Sequence, residues 1–178
     1  MGFLDFLRRK PRPPEAGGMK GLQEAAEAMG RAGLKFMDRA GLCYRATGDC
    51  TGKIRKIGNY PRGSGISATC RITEDTYGCT WMLLEGNLSV ALSSAISAYE
   101  AVAGAGCGQD FLCAAFAYAL GGKKVYWIYS FDGKFYPFIP EGEERDSMAE
   151  LNLKRAVDRA LPVEESLSRW YPVWNLPV

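Results

Sequence analysis

The length, composition and charge of this chain are those of an ordinary globular protein. It has 178 residues, of which 47% are hydrophobic and 24% are charged, with a formal net charge of +2, and this composition suits a single folded domain. The apolar runs fall short of the ~20 residues that span a bilayer, and no secretory signal peptide is visible, so we expect a cytoplasmic protein.

The N-terminal segment combines apolar and basic residues. Residues 1–62 carry 13 Lys and Arg against 6 Asp and Glu, whereas residues 63–178 carry 9 against 14, so the basic end can meet an anionic surface. We expect residues 1–18 to be an amphipathic segment with a Pro/Gly linker, and residues 19–178 to be one domain. Three interpretations of the segment stay open: membrane contact, docking on the protein's own core, or a disordered tail. The candidate membrane-contact residues are Phe3, Leu4, Phe6, Leu7, Arg8, Arg9 and Lys10.

The next part of the chain predicts a helix, a strand and a loop. From Lys20 to Asp38 the apolar residues follow a helical period that is loosened near Gly30 and Gly33. Leu42 to Ala46 is typical of a short strand. Thr47 to Ser67 is rich in Gly and basic residues and predicts a solvated loop. No RNA-binding motif accompanies those basic residues, so we expect no nucleic-acid partner.

Two strands and a long helix follow. Apolar residues alternate or cluster, as is typical of strands, in the segments Thr69 to Thr73 and Tyr77 to Glu85. Asn87 is a candidate N-cap for a helix from Leu88 to about Gly104, whose apolar stripe indicates a core-facing helix. The glycines from Gly104 to Gly108 end this helix instead of joining a strand to a helix N-terminus. They therefore indicate a C-cap and turn and not a phosphate-binding loop.

The remaining elements complete an α+β pattern. Phe111 to Leu120, Lys124 to Tyr129 and Lys134 to Ile139 predict three strands joined by tight turns. A last helix follows, with Ser147 and Glu150 at capping-box spacing. The element order, α-β(3)-α-β(2-3)-α, predicts an antiparallel sheet with helices packed mainly on one face. This order resembles that of secretion-chaperone-like and YbjN-like domains.

The cysteines and the missing His argue against metal and catalytic chemistry. The chain has six Cys, no His and no C-x-x-C pair, so neither the mixed zinc sites nor the four-Cys spacing is present. A disulfide framework is not expected in a cytosolic protein of this size. We interpret Cys70, Cys79 and Cys113 as small buried hydrophobes. No paired-carboxylate motif stands out either, so we expect no catalytic residues, no cofactor, no metal and no enzymatic activity.

Aromatic residues and prolines are concentrated near the C-terminus. One interpretation is structural, because a sheet with helices on one face needs cover for the other, and an extended aromatic tail could supply it. The other interpretation is a partner-binding groove, since aromatics and Arg are enriched in binding hot spots. The sequence does not separate the two, and Arg169 could equally pair with a carboxylate such as Asp146. The candidate partner-binding residues are Tyr126, Phe135, Tyr136, Phe138, Arg169, Trp170 and Trp174.

Five short motifs follow one another along the chain: Met1-Gly-Phe-Leu-Asp5, Asp75-Thr-Tyr-Gly-x-Thr-Trp81, Lys134-Phe-Tyr-Pro-Phe138, Arg145-Asp146 and Leu167-Ser-Arg-Trp-Tyr-Pro-x-Trp174. Together they resemble the PspA-associated protein family PspAB, an accessory of the phage-shock envelope-stress system. Position 79 departs from that pattern, with Cys in place of an aromatic residue. The resemblance implies an accessory of PspA or of a membrane-bound HtpX-like metalloprotease, and it implies no reaction.

These observations lead to a functional hypothesis. We expect a cytoplasmic, non-enzymatic accessory of the envelope-stress response that binds a PspA-like coiled-coil protein or an HtpX-like membrane protease. Weak contact of its N-terminal segment with an anionic membrane would place it peripherally on the inner face of the cell membrane. The alternative hypothesis is a secretion-chaperone-like module that binds unfolded peptides.

Overall fold

A six-stranded antiparallel sheet forms the centre of the protein. It is seen in a computed structural model that describes residues 13–59 and 65–178. A short separate pair, β7 (Pro140–Glu141) and β8 (Glu144–Arg145), follows the main sheet along the chain. The strands of the main sheet are β1 (Lys35–Tyr44), β2 (Thr69–Glu74), β3 (Thr80–Glu85), β4 (Phe111–Leu120), β5 (Lys123–Ser130) and β6 (Phe135–Phe138).

Of the helices described, two precede the first strand, two connect strands of the main sheet, and one follows β8. Short 3₁₀ turns at Ala16–Lys20, Gly108–Asp110 and Leu167–Arg169 supplement them. The helices are α1 (Gly21–Glu24), α2 (Ala26–Arg31), α3 (Asp49–Asn59), α4 (Leu88–Gly104) and α5 (Ser147–Val157).

The strand order in the sheet is β2-β3-β1-β4-β5-β6. Neighbours β2–β3, β4–β5 and β5–β6 follow each other directly in sequence, as expected for hairpins. The inner strand β1 instead pairs with β3 and β4, so Gly41 lies opposite Leu83 on one side and Ala115 on the other. The middle of the sheet is therefore built from strands that are far apart in sequence.

Helices α3 and α4 and the N-terminal turn cover one face of the sheet. In α3, a Cβ added at Gly58 would come within 2.2 Å of Ile72 in β2, so the helix backbone lies directly on that strand. In α4, the Tyr99 ring packs edge-on against Phe111, with centroids 4.9 Å apart. On the same face, the N-terminal turn rests on Tyr129 of β5. We call this the helix face.

Local sequence explains where α4 begins and ends. The side chain of Asn87 accepts a hydrogen bond from the backbone N–H of Val90 at 3.0 Å, which satisfies one free donor of the first turn. The buried side is rich in Ala, and this lets the helix approach the sheet closely. After Gly104 the chain reverses at Gly106, whose φ of 83° is accessible to Gly at little cost. The predicted C-cap and turn are confirmed.

The opposite face of the sheet is covered by the C-terminal tail, residues 170–178. Gly41 and Trp81 lie on this face, and a Cβ added at Gly41 would come within 2.8 Å of Val178. The tail contains no helix or strand after the turn Leu167–Arg169. We call this the tail face. The extended aromatic tail covers it, as the structural interpretation of the sequence expected.

The edge of β6 is covered by residues 162–164. Phe135 donates its N–H to the carbonyl of Pro162 at 3.0 Å and accepts from the N–H of Glu164 at 2.7 Å. This short parallel bridge satisfies backbone groups of a strand edge that would otherwise be open for pairing with another chain. Helix α5 reaches this edge and also contacts α2.

The first strand and the first helices differ from the prediction. The helix predicted from Lys20 to Asp38 ends at Arg31, because Gly33 takes a φ of 84° and redirects the chain. Strand β1 then starts at Lys35, well before the predicted strand at Leu42 to Ala46. Its first half is mostly exposed and irregular, with Asp38 at a φ of 56°, so it lacked the alternation that marks a strand.

A helix occupies part of the predicted loop from Thr47 to Ser67. Helix α3 has Ile54 and Gly58 buried, and Cys50 and Ile57 pack partly buried against the core. This short apolar stripe at helical spacing was outweighed in the prediction by the Gly and basic residues around it. Packing of its backbone against β2 supplies the stability that its own propensity does not. The solvated-loop prediction was therefore wrong for residues 49–59.

The expectation that the cysteines form no disulfide was also wrong. Cys50 at the start of α3 and Cys107 after α4 are bonded to each other, across a sequence separation of 57 residues. The bond ties α3 to the turn that follows α4. Of the three cysteines interpreted as buried hydrophobes, Cys79 and Cys113 are buried and Cys70 is partly buried.

The fold class is confirmed as α+β with one antiparallel sheet. Its helices lie mainly on one face, although α3 adds a helix between β1 and β2 that the predicted element order lacks. Residues 13–18, predicted to belong to a linker, pack on the helix face, where Ala16 is buried. The boundary between the N-terminal segment and the domain at residue 18 stays a prediction. The likeness to secretion-chaperone and YbjN-like domains stays a prediction.

Candidate functional site

The C-terminal tail holds its position through aromatic contacts with β6. The ring of Trp170 stacks on Tyr136, with an interplanar angle of 17° and centroids 6.4 Å apart. The ring of Trp174 meets Phe138 edge-on at 5.1 Å. Such pairs contribute about 0.5–1.5 kcal/mol beyond the burial of their area.

Polar groups of the same aromatic residues fix the path of the tail. The Tyr136 hydroxyl donates to the carbonyl of Tyr171 at 3.0 Å, and the indole N–H of Trp170 donates to the carbonyl of Glu164 at 2.9 Å. Each bond pairs a buried polar group that would be costly to leave unsatisfied. Because hydrogen bonds are directional, these two bonds also fix the position of the tail backbone, which apolar contacts alone would not do.

Arg145 joins the tail, β6 and α5. Its Nε donates to Oε2 of Glu150 at 2.8 Å, and its Nη1 donates to the carbonyl of Trp170 at 2.6 Å. The guanidinium also lies over the Phe138 ring at 5.4 Å, within the range of a cation–π contact. Glu150 is only 2% exposed and also accepts the backbone N–H of Ile139 at 2.8 Å.

The electrostatics at Glu150 follow from that burial. Desolvation raises the pKa of the Glu150 carboxyl, while the hydrogen bonds from Arg145 and Ile139 act in the opposite direction. A buried carboxylate is costly unless it is paired, and here Arg145 pairs it. The Arg145-Asp146 motif is therefore a structural junction, in which Arg145 pairs Glu150 and Asp146 caps α5 by accepting the N–H of Ala149. The predicted N-cap was Ser147, one residue later.

Five of the seven candidate partner-binding residues are buried inside the protein, so they do not line an exposed groove. Contacts between the sheet and the tail enclose four of them, whereas Phe135 packs on the helix face beside Tyr129. This enclosure is the physical reason for the correction. Trp174 is partly buried. Arg169 is 59% exposed and lies 3.6 Å from Asp132 and 3.5 Å from Glu164. The five buried residues are Tyr126, Phe135, Tyr136, Phe138 and Trp170.

The carboxylate proposed for Arg169 is engaged elsewhere. Asp146 accepts a hydrogen bond from Lys123 at 2.7 Å, and this bond with the helix N-terminus keeps the pKa of its carboxyl below the usual value. Arg169 pairs with Asp132 and Glu164 instead. The Asp146 pairing was therefore wrong, since Asp146 lies beside Lys123 at the start of α5.

The upstream Asp75 motif also has a structural role. One carboxylate oxygen of Asp75 accepts the N–H groups of Tyr77 and Cys79, both at 2.9 Å. The other oxygen accepts the indole N–H of Trp81 at 2.8 Å. A single side chain thus fixes the β2–β3 turn and aligns Trp81 on the tail face.

The candidate membrane-contact residues at positions 3, 4 and 6–10 lie outside the described residues, so their role stays a prediction. None of the helices within residues 13–59 and 65–178 combines the length and the apolar character that a membrane span requires.

An exposed basic groove runs between α2 and the end of α5. It encloses about 390 Å³, with a floor of small residues and Arg155 and Arg159 on one wall. Arg31 on the other side pairs with Glu27, and Asp158 pairs with Lys154. Among the described residues, neither Arg155 nor Arg159 has a partner of its own. The residues that line the groove are Ala28, Arg31, Arg155, Ala156, Asp158, Arg159 and Ala160.

The sequence did not predict this groove. Arg155 and Arg159 are four residues apart at the end of α5, and this spacing was a signal that both side chains share one side. The position of α2 beside them was not visible, because it depends on how the first helices pack on the sheet.

The fold and its surface define a class of protein. It is an α+β protein whose sheet is closed by its own aromatic tail, with an open basic groove at the helix layer. The chain belongs to the family of PspA associated protein B (PspAB), whose family model matches residues 1–178, so the PspAB resemblance is confirmed. No curated protein and no solved structure matches the chain.

Proposed function

We propose that this protein is a non-enzymatic accessory that binds a PspA-type helical protein through the basic groove between α2 and α5. The family membership supports a link to PspA. The observation that carries the site is the pair of exposed, unpaired guanidinium groups of Arg155 and Arg159 among the described residues, above a floor of small side chains.

The shape and charge of the groove suit an acidic helix. Ala28, Ala156 and Ala160 leave room for a helix to approach, as in helix-in-groove recognition. Arg155 and Arg159 would pair with carboxylates on that helix, since Arg forms bidentate bonds with carboxylates and is enriched in binding hot spots. Complementary charge also speeds the encounter of the partners.

Binding of a purified PspA-type protein to the full-length chain tests the proposal. In the variant Arg155→Glu/Arg159→Glu, we expect affinity to fall at least about tenfold, or ~1.4 kcal/mol, because two attractive contacts become repulsive. The matched control is Lys35→Glu/Lys124→Glu, which changes the charge equally at two exposed positions on the sheet. The control should bind like the unchanged protein, and equal loss in both variants would contradict the groove as the binding site.

The partner itself is part of the proposal. A membrane-bound HtpX-like protease is the second candidate, and it should be assayed in parallel in detergent. If neither protein binds and the chain instead retains many unfolded polypeptides, the accessory role is overturned and the secretion-chaperone alternative gains support.

We place the protein in the cytoplasm, with its N-terminal segment in contact with an anionic membrane surface. Flotation with vesicles of anionic lipid tests this against a variant that lacks residues 1–10. The deletion stops there because the carbonyl of Pro14 accepts a hydrogen bond from Tyr99. We expect the full chain to float and the shortened chain to stay behind, and equal flotation would contradict membrane contact by this segment.

A further inference from the structure

Three free cysteines, two of them in strands and one immediately before β3, lie close together on the tail face of the sheet. Cys43 in β1 lies directly opposite Cys113 in β4. Cys79 lies immediately before β3, which pairs with the other side of β1, and its sulfur lies within 4.8 Å of that of Cys43. The thiol of Cys43 interacts with those of both Cys79 and Cys113. These residues are far apart in sequence, so the sheet alone brings the thiols together.

A carboxylate completes the group. The sulfurs of Cys43 and Cys79 and a carboxylate oxygen of Asp75 all lie within 4.8 Å of one another. With Zn–S bonds of ~2.3 Å, two sulfurs on a tetrahedral zinc ion are ~3.8 Å apart. A movement of about 1 Å would therefore bring the ligand atoms of Cys43, Cys79 and Asp75 to bonding geometry around one ion. Cys113, directly opposite Cys43, is the neighbouring thiol that can complete the site.

The surroundings of Asp75 suit a metal ligand. Its carboxylate accepts three hydrogen bonds, from the N–H groups of Tyr77, Cys79 and Trp81. A carboxylate offers about four lone-pair positions, so one remains for an ion. Ligating carboxylates are commonly held by such outer hydrogen bonds. Asp75 is also the most exposed of the four groups, which provides an entry path from solvent.

Burial and charge identify the class of ion. Cys43, Cys79 and Cys113 are 1%, 2% and 3% exposed. Three thiolates and one carboxylate around a divalent ion carry the same formal charge as a Cys₄ zinc site. Thiolate ligands select soft or borderline ions over Mg²⁺ and Ca²⁺.

We propose that Cys43, Cys79, Cys113 and Asp75 form a binding site for a thiophilic divalent ion of the Zn²⁺ type. Binding displaces the thiol protons and joins β1 and β4 to the β2–β3 turn. The cysteines bonded as Cys50–Cys107 take no part. The proposal is independent of the basic groove and of the partner.

Titration with Co²⁺ tests the site. The full-length protein, with its disulfide intact, is stripped of metal with a chelator and titrated without oxygen. We expect one equivalent of Co²⁺ to bind, with thiolate charge-transfer absorption and the visible bands of tetrahedral Co²⁺, and Zn²⁺ should abolish both. Absence of these bands in the unchanged protein overturns the proposal.

Variants locate the ion. Cys79→Ser and Cys113→Ser should each weaken Co²⁺ binding at least about tenfold, whereas Cys70→Ser, a free cysteine outside the group, should bind as before. Circular dichroism checks the fold of each variant. If Cys79→Ser does not fold, Asp75→Asn replaces it, with the same expected loss. Unchanged binding in a folded Cys79→Ser or Asp75→Asn protein, or an equal loss in Cys70→Ser, overturns the assignment.

Discussion

Both ends of the described chain are attached to the sheet by hydrogen bonds from tyrosine hydroxyls to backbone carbonyls, but on opposite faces. The N-terminal segment is rich in Pro and Gly, whereas the C-terminal tail is rich in aromatic residues. On the helix face, Tyr99 donates to the carbonyl of Pro14 at 2.7 Å and Tyr129 donates to that of Glu15 at 2.8 Å. Two buried rings thus hold a backbone segment through their hydroxyls. The segment itself contributes carbonyl groups and small residues.

On the tail face, two tyrosine hydroxyls again donate to carbonyls of the terminal segment. Tyr136 bonds to Tyr171 at 3.0 Å and Tyr126 bonds to Val178 at 3.3 Å. Here the segment adds large side chains of its own, above all Trp170. A Pro/Gly-rich end and an aromatic end can therefore be equally well attached, because the bonding groups belong to the backbone.

The difference lies in what each contact requires. Gly18 lies so close to Tyr129 that an added Cβ would come within 2.2 Å of its hydroxyl oxygen. The N-terminal segment therefore needs a missing side chain at Gly18, although Met19 beside it is fully buried, whereas the C-terminal tail is held by the large side chains that it inserts. Adding a side chain at Gly18 should therefore destabilise the N-terminal contact, and truncating Trp170 should destabilise the C-terminal one.

The largest effect is expected from truncation in the tail. Trp170→Ala should reduce the free energy of unfolding by about 3–5 kcal/mol, because it removes a buried ring that stacks on Tyr136. Trp174→Ala is the matched control and should cost less, since that ring is partly exposed. Urea unfolding measures both. Equal losses would mean that the tail is not anchored chiefly at Trp170.

A comparable effect is expected from the disulfide on the helix face. Replacing Cys50 and Cys107 by Ser opens a 57-residue loop and should cost about 4 kcal/mol in the chain-entropy description. Gly108, next to Cys107, is in contact range of Pro13, so hydrogen exchange should rise in residues 13–20 more than in residues 170–178. If hydrogen exchange rose only in residues 170–178, the disulfide would not be stabilising the helix face, and the prediction would be contradicted.

A smaller effect is expected from adding a methyl group to the N-terminal segment. Gly18→Ala should cost about 1–3 kcal/mol, because the methyl group would overlap the Tyr129 ring. Gly17→Ala is the control, since a Cβ there meets nothing within 4 Å. Thermal unfolding of the two variants checks the prediction. A Gly18→Ala protein as stable as the Gly17→Ala protein would show that the segment can move away from the sheet.

The smallest effect is expected from one hydroxyl, and it depends on pH. Tyr129→Phe should cost about 1 kcal/mol near neutral pH by removing the bond to Glu15. Burial raises the pKa of Tyr129 from 10.0 to about 12. Its contribution to stability is therefore fully present below pH 10 and is lost as the pH rises toward 12. The variant should lose less stability than the unchanged protein over that interval, and parallel curves would contradict the role of this hydroxyl.

Local signals predicted the elements whose stability depends mainly on neighbouring residues. The hairpins β4–β5 and β5–β6 turn at Gly121-Gly122 and near Gly133, and all three glycines take the positive φ that such turns need. Helix α4 begins at Leu88, directly after the predicted N-cap Asn87. The α+β class followed from the order of these elements.

Other features could not be predicted because they depend on distant residues. Helix α3 is stable where its glycine backbone meets β2, and nothing in its own sequence announces that contact. The bond between Cys50 and Cys107 and the meeting of Cys43 with Cys113 depend on strand order. The same holds for the basic groove, whose two walls come from α2 and α5.

The aromatic tail shows the limit most clearly. The sequence by itself determined that an extended, aromatic segment would close the chain, because Pro172 and the ring-rich composition act locally. Only the tertiary structure decided that Trp170 packs inside while Arg169 beside it stays outside. Burial is a property of all the surfaces that meet at a residue, and those surfaces come from β6, α5 and the tail together.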